Sequence, residues 1–422
     1  MHGELCSVKE ITEGVRAVIN SKQEQLTDAE VLALIEDYVL RDHRTDSYSF
    51  RAKGELICGI FNTTRKDLDI LQPYADDQDV SEIMVNGIDH IFVERKGKIE
   101  KLDLRFGSTE ELEEVIRRIA AKVHREINEL NPIVDARLED GSRVNAVFKN
   151  VALNGPILTI RKFPENRITM GDLLKMGTIT EEAAEFLKIL VKSGYNIFIS
   201  GGTSSGKTTF LNVLSEFIPP DERVIVIEDA AELQIKGIEN IVRLECKNAN
   251  VQGKGEVGVR QLIKASLRMR PNRIIVGEVR GGEVLDMIQA MNTGHDGSLS
   301  TGHGNSPEGM LSRIEAMFLQ AAEYPVDAIR SQIAEAIDII VHLGRLPDKS
   351  RKVLEISEIE GYHDGKIHLN PIFKYIINNR QKEGEQGGSL VSTGNPLKNT
   401  MKLERNGEFY EVESIYCPQG VS

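Results

Sequence analysis

The chain has 422 residues, 40% hydrophobic and 28% charged, with a formal net charge of −13. That length calls for two or three domains, and the acidic balance argues against a protein whose main task is to grip phosphate backbones. Four scattered cysteines (Cys6, Cys58, Cys246, Cys417) without a CxxC pair suggest neither a zinc knuckle nor a disulfide framework, no signal-peptide pattern opens the chain, and no apolar run reaches the ~18 residues of a membrane span.

Residues 1–74 read as a helical segment. In 27–39, Thr27 and Glu30 have capping-box spacing, and Val31, Leu34, Ile35, Tyr38 and Val39 fall on one face. The polar stretch 41–55 reads as a hinge. An α+β domain is expected over 75–163. It starts with a β-meander of SEIMV (81–85), an Asn86-Gly87 turn, HIFVE (90–94) and KIEKLDLRF (98–106). A helix capped by Ser108 and Glu111 follows, with Leu112, Val115, Ile116, Ile119 and Val123 on one side, then strands SRVNAVF (142–148) and PILTIRKF (156–163).

A linker at 164–177 leads to a domain at 178–375, where strand and helix alternate. NIFIS (196–200), RVIVIE (223–228) and RIIVGE (273–278) are short apolar runs, as expected of strands buried on both faces. Between them, Val259, Leu262, Ile263 and Leu267 share a helical face that Pro271 ends. The fold class is therefore α/β, a doubly wound parallel sheet preceded by a smaller α+β domain. Late hairpins are expected over 337–373, and 376–422 reads as a polar, mobile tail.

The strongest chemical signal is Gly201-Gly202-Thr203-Ser204-Ser205-Gly206-Lys207-Thr208, followed by Thr209 and set between an apolar strand and an amphipathic helix. It fits G-x-x-x-x-G-K-[ST], in which glycines let backbone N–H groups turn toward phosphates. Lys207 is placed to reach the terminal phosphates of ATP, and the Thr208 hydroxyl to ligate Mg²⁺. Two later strands end in acids: Glu228, with Asp229 and Glu232 after it, and Glu278. Carboxylates at strand ends face the ligand in such sheets, so Glu228 or Glu278 is placed to orient the attacking water, directly or through the Mg²⁺ shell. His295 and His303 stand in a glycine-rich stretch without a third metal ligand at suitable spacing; sensing the γ-phosphate, crossing a subunit interface and plain loop exposure all remain open. The stripe Arg260, Lys264, Arg268 reads as a solvated helical face.

Together these blocks resemble the type II/IV secretion ATPase superfamily, most closely the CpaF-like ATPases of Flp (tight-adherence) pilus systems. The resemblance is carried by DVSEIMVNGIDHIFVERKGK, LNGPILTIRKF, GGTSSGKTT, IEDAAEL and LRMRPNRIIVGEVRGGEVLDMIQAMNTGHDGSLSTGHGNSP, in one order from about 70 to 375. It implies that Gly201–Thr208 is the Walker A element, that Glu228–Glu232 is the Asp box, that Gly277-Glu278 is an atypical Walker B element and that His295 and His303 form the His box. It further implies that Arg143 and Arg161 approach the nucleotide phosphates, while Arg280 lies in a family block without an assigned role. Expected partners are five further copies in a homo-hexamer and a polytopic inner-membrane platform protein. The expected place is the cytoplasm, peripheral at the membrane face, with no nucleic acid bound. A type IV secretion traffic ATPase is the nearest alternative; a nucleic-acid translocase and a non-catalytic nucleotide-gated scaffold are the readings from other classes. Gly304 departs from the Ala that relatives often carry, and the tetracysteine insert of many related motors is missing.

Overall fold

A computed structural model describes residues 2–22, 26–123, 125–138, 140–163, 168–247, 254–378, 387–409 and 412. The chain forms two compact units, Met1–Asn166 and Arg167–Ser422.

The first unit opens with helices α1 (His2–Asn20), α2 (Asp28–Arg41), α3 (Phe50–Arg65) and the short α4 (Gln72–Asp76). The reciprocal Thr27–Glu30 capping box starts α2, and Val31, Ile35 and Val39 pack with Ile11, Val15 and Ile60 into a small core. The expected hinge at 41–55 is instead structured: Asp42 caps a 3₁₀ turn at His43–Thr45, and Ser49 caps α3. Short polar side chains bond the backbone locally here, which composition alone reads as a loop.

Six antiparallel strands follow: β1 (Val80–Asn86), β2 (Ile91–Arg95), β3 (Lys98–Lys101), β4 (Ile133–Arg137), β5 (Arg143–Val147) and β6 (Ile157–Arg161). Their order is β3-β2-β1-β6-β5-β4. Helix α5 (Thr109–Lys122), capped by Ser108, lays Leu112, Val115, Ile116 and Ile119 on this core. The meander forms as expected, although β3 ends at Lys101. Strand β4 escaped the pattern because it is an edge strand in which only Val134 is buried.

The second unit contains α6 (Met170–Lys175), α7 (Glu181–Lys192), β7 (Ile197–Gly201), α8 (Lys207–Ser215), β8 (Val224–Glu228), β9 (Ile241–Glu245), α9 (Val259–Ser266) and β10 (Arg273–Val276). Then come α10 (Glu283–Asn292), β11 (Leu299–His303), α11 (Pro307–Ala321), α12 (Val326–Ala336), β12 (Ile339–Arg345), β13 (Arg351–His363), β14 (Lys366–Asn378), β15 (Gly387–Ser392) and α13 (Met401–Asn406). The strand order is β15-β14-β13-β12-β7-β11-β10-β8-β9, parallel from β12 to β9 and antiparallel beyond.

Alternate residues of the central strands feed two separate cores. Ile197, Ile199, Val224 and Val226 join one with Phe186 and Phe210, while Phe198, Ile225 and Ile227 join the other with Ile288 and Ile314. Burial on both faces is why these strands are nearly continuous apolar runs. Strand β7 sits between β11 and β12, yet the chain leaves it for β8 three strands away, so a crevice opens at its carboxyl end.

At the other end, the strand starts are tied by Asn196, 2% exposed. Its side chain donates to Ala336 O (2.8 Å) and accepts from Ser298 N (3.0 Å), its N–H donates to Asp338 Oδ2 (2.7 Å), and its carbonyl accepts from Asp338 and Ile339 N–H.

Two expectations about flanking segments differ from the fold. The 164–177 linker contains α6, with a capping box from Thr169 to Asp172. The polar segment after 376 continues β14, adds β15 and docks α13; 379–386, 410–411 and 413–422 lie outside the described residues. Few apolar side chains hold it (Leu390, Leu397, Leu403, Val412), so composition missed it. Buried acids do the rest: Glu358, 1% exposed, accepts from Lys398 N (2.9 Å) and Asn399 N (2.6 Å), and Asp338 from Lys402 Nζ (2.7 Å).

Candidate nucleotide site

The loop after β7 is shaped by two residues with positive φ, Ser204 (59°) and Gly206 (95°), before α8 starts at Lys207. Gly201 is hemmed in: a Cβ there would stand 2.6 Å from both Leu343 O and Ser205 Oγ. Lys207 is 8% exposed, and its ammonium donates to Gly201 O (3.1 Å) and Gly202 O (3.0 Å) and lies 3.3 Å from His303 Nδ1. Burial holds its pKa below the usual lysine range, with Glu278 pulling the other way. Thr203 and Ser204 are exposed, and Thr208 and Thr209 half-buried at the helix start.

His303 ends β11 directly opposite Gly201 of β7. Its Nε2 is 2.8 Å from Glu278 Oε1, two residues beyond β10. Burial and the nearby Lys207 hold the imidazole pKa low, opposed by Glu278. With an ammonium donating to Nδ1, the neutral ring carries its proton on Nε2, toward the carboxylate. The other oxygen of Glu278 accepts from Arg280 Nη2 (2.8 Å) and Nε (3.0 Å), and Arg280 Nη1 reaches Asp229 Oδ2 at 3.4 Å. Lys207, His303, Glu278, Arg280 and Asp229 thus form one polar chain across the strand ends.

Glu228 behaves differently. It is 4% exposed, and its Oε1 accepts from the backbone of Glu232 (2.7 Å) and Leu233 (2.9 Å). Burial raises its pKa, and those two N–H groups oppose the rise. One oxygen therefore folds the Asp229–Leu233 loop rather than facing open space.

Of the other expected residues, Arg143 and Arg161 are direct cross-strand partners on β5 and β6 of the first unit. His295 precedes β11, at the amino ends of the parallel strands, with Nδ1 3.1 Å from Ala290 O. The fold brings His303 to Lys207 and leaves His295 at the opposite end of the sheet. Arg260 and Lys264 of the basic stripe meet Asp286, 4% exposed, at 2.7 and 3.5 Å rather than only solvent. Two contributors carried no sequence signal. Arg351 donates to Ser204 O (3.1 Å) from the start of β13, and His342 Nδ1 is 2.9 Å from Ser200 Oγ.

The donor set suits a hard divalent cation, which takes oxygen ligands. Thr208 offers a hydroxyl at the helix start, and Glu278 Oε1 is buried yet receives no well-directed hydrogen bond from the described residues. Ser205 Oγ is likewise buried without a hydrogen bond among them, in the loop that would meet phosphate.

A central parallel strand feeding a glycine loop and helix, with acids at the carboxyl ends of two further parallel strands, defines a RecA-like P-loop α/β domain. The chain belongs to the type II/IV secretion system protein family, which it matches over residues 64–384. It is 35% identical over 293 residues to the conjugal transfer protein TrbB of Rhizobium radiobacter, covering 68% of this chain and 86% of that one. It is also 31% identical over 325 residues to the type IV secretion system protein PtlH of Bordetella pertussis, covering 71% and 94%. The pilus retraction motor PilT, solved with bound ADP, shares the fold at 18% identity and a TM-score of 0.51, over 82% of this chain and 89% of that one. Among the described residues no helix is long and apolar enough to cross a membrane.

Proposed function

We propose that this protein hydrolyses ATP and couples the cycle to a secretion or pilus-assembly machine at the cytoplasmic face of a membrane. The observation that carries the reading is the placement of Lys207, buried at the base of the glycine loop and linked through His303 to Glu278. On nucleotide arrival the ammonium exchanges the Gly201 and Gly202 carbonyls for terminal phosphate oxygens, while loop N–H groups and the α8 N-terminus meet the remaining charge. Thr208 and Glu278 are the residues that would hold Mg²⁺, which supplies neutralisation of phosphate charge when bound. Glu278, aimed by Arg280 and His303, orients the attacking water; Glu228 is the alternative, at the cost of its loop contacts. The resemblance adds Arg143 and Arg161 as stabilisers of charge on the transferred group, and His295 as a His-box residue of the nucleotide-binding set.

The finer reading is a CpaF-like homo-hexamer that pushes a polytopic platform protein to assemble Flp-type pili. A second reading, a type IV secretion traffic ATPase, is favoured by the names of the relatives TrbB and PtlH. A nucleic-acid translocase fits the net charge of −13 poorly. Phosphate release from the full chain with ATP and Mg²⁺ tests the core of the proposal. Lys207→Ala should lower turnover by about 100-fold or more, and release at the parent rate would overturn it. Stimulation by DNA with a steep salt dependence would move the assignment to the translocase.

A further inference from the structure

Far along the chain, the β13–β14 hairpin closes through a two-residue turn, Asp364 (φ 52°) and Gly365 (φ 72°), with His363 paired to Lys366. Positive φ at both positions is the hairpin turn that suits the twist of the strands. Below it the register shifts between Ile359 and Gly361, and Gly361 (φ 145°) pairs with His368. Residues 361 and 363 share a face, so His368 lies diagonal to His363 on that face. The two imidazoles stack with centroids 3.7 Å apart and planes at 7°, so one ring has to turn about its side-chain torsions for both in-plane lone pairs to meet a single ion. The carboxylate of Asp364 joins them: one donor atom from each of His363, Asp364 and His368 lies within 4.8 Å of the other two.

A second observation points to a ligand. His368 Nε2 is buried and makes no hydrogen bond with the described residues. A buried ring nitrogen without a partner is costly, whereas a lone pair given to a metal satisfies it. The hairpin tip is also held firmly, since Tyr362 OH donates to Asp327, and Arg330 donates to Gly365 O (3.0 Å) while pairing with Glu315 (2.9 Å). The donors are therefore presented on a braced turn rather than a free loop.

We propose that His363, Asp364 and His368 form a surface site for a late first-row divalent cation, with Zn²⁺ the expected occupant. Two imidazole nitrogens and one carboxylate oxygen select such ions over Mg²⁺, which takes oxygen ligands almost exclusively. Three protein donors leave a position for water or a fourth ligand. The exposed Lys366, across from His363, presents a like charge that weakens the site without blocking it. Occupancy would cross-link β13 and β14 at their turn and leave the glycine loop chemistry to Mg²⁺.

Titration of the nucleotide-free full chain with Zn²⁺ by calorimetry, and with Co²⁺ by visible absorption, tests this. One equivalent should bind. His363→Ala and His368→Ala should each weaken it more than about tenfold, since even outer-shell losses cost that much. Asp364→Asn should weaken it less, and Lys366→Gln should tighten it several-fold. Lys207→Ala should leave it unchanged, which separates this site from the nucleotide loop. Binding that is unaffected by both histidine substitutions, or abolished by Lys207→Ala, overturns the proposal. The hairpin tip is exposed at His363, so that variant stays folded and its result stands by itself.

Discussion

Glu228 and Glu278 end neighbouring strands yet use their oxygens in opposite ways. Glu278 Oε1 is buried with the His303 ring 2.8 Å away but meets no well-directed hydrogen bond among the described residues, while Glu228 Oε1 is taken by two backbone N–H groups. Because burial raises the Glu228 pKa in the folded chain, ionising it costs folded stability. That cost is absent below the ordinary carboxylate range, where both states are protonated, and grows as pH rises from there through the raised value. Glu228→Gln keeps the acceptor and removes the charge. Its melting temperature should match the parent at low pH and exceed it by a few degrees at pH 8. A variant that melts below the parent at pH 8 would show that the charge itself holds the Asp229–Leu233 loop. If the same variant still releases phosphate, Glu278 is the residue that orients water.

At element scale, strand β7 is closely packed against β12. A methyl group at Gly201 would meet the Leu343 carbonyl of β12 at 2.6 Å, backbone that cannot swing aside, whereas one at Gly202 meets nothing within 4 Å. Gly201→Ala should therefore cost about 1–3 kcal/mol in urea unfolding, well beyond Gly202→Ala. Equal losses in the two variants would mean that the β7–β12 spacing yields freely. The same double-sided packing explains what was legible beforehand. Strands β7, β8 and β10 were readable because both faces are buried and the runs are apolar. Strand β11 is as deeply buried but spells Leu-Ser-Thr-Gly-His, its Thr301 hydroxyl bonding Gly277 O at 2.8 Å, so hydropathy hid it. Local signals named Lys207 and Glu278, since a motif and a strand end mark them, whereas His303 stood out only as a histidine among glycines and through the family resemblance. Arg351 was invisible because its contact with Ser204 spans 147 positions and exists only once the sheet is assembled.

At the scale of the whole second unit, the segment after 392 is part of the fold rather than an appendage. Burial raises the Asp338 pKa, and Lys402 opposes the rise. Lys402 is 18% and Asp338 7% exposed at the side chain. Lys402→Met leaves that carboxylate buried with the Asn196 N–H and the Asn399 amide as neutral donors but without its cation, and should cost about 3 kcal/mol near neutral pH. Protonation of Asp338 removes the uncompensated charge, so the deficit should shrink as pH falls through its raised pKa. A deficit that stays constant with pH, measured by thermal melting, would place the loss in packing and not in charge.

The amide of Asn196 has a mechanical consequence. It clasps the beginnings of β7, β11 and β12 in one knot, while the groups that meet phosphate sit at the free tips of the same strands. Strands fastened at the root cannot slide lengthwise past one another. Whatever travel a bound phosphate imposes at the tips has to be a fanning about that rivet, widest at Gly201 and His303 and almost nil where α13 is moored.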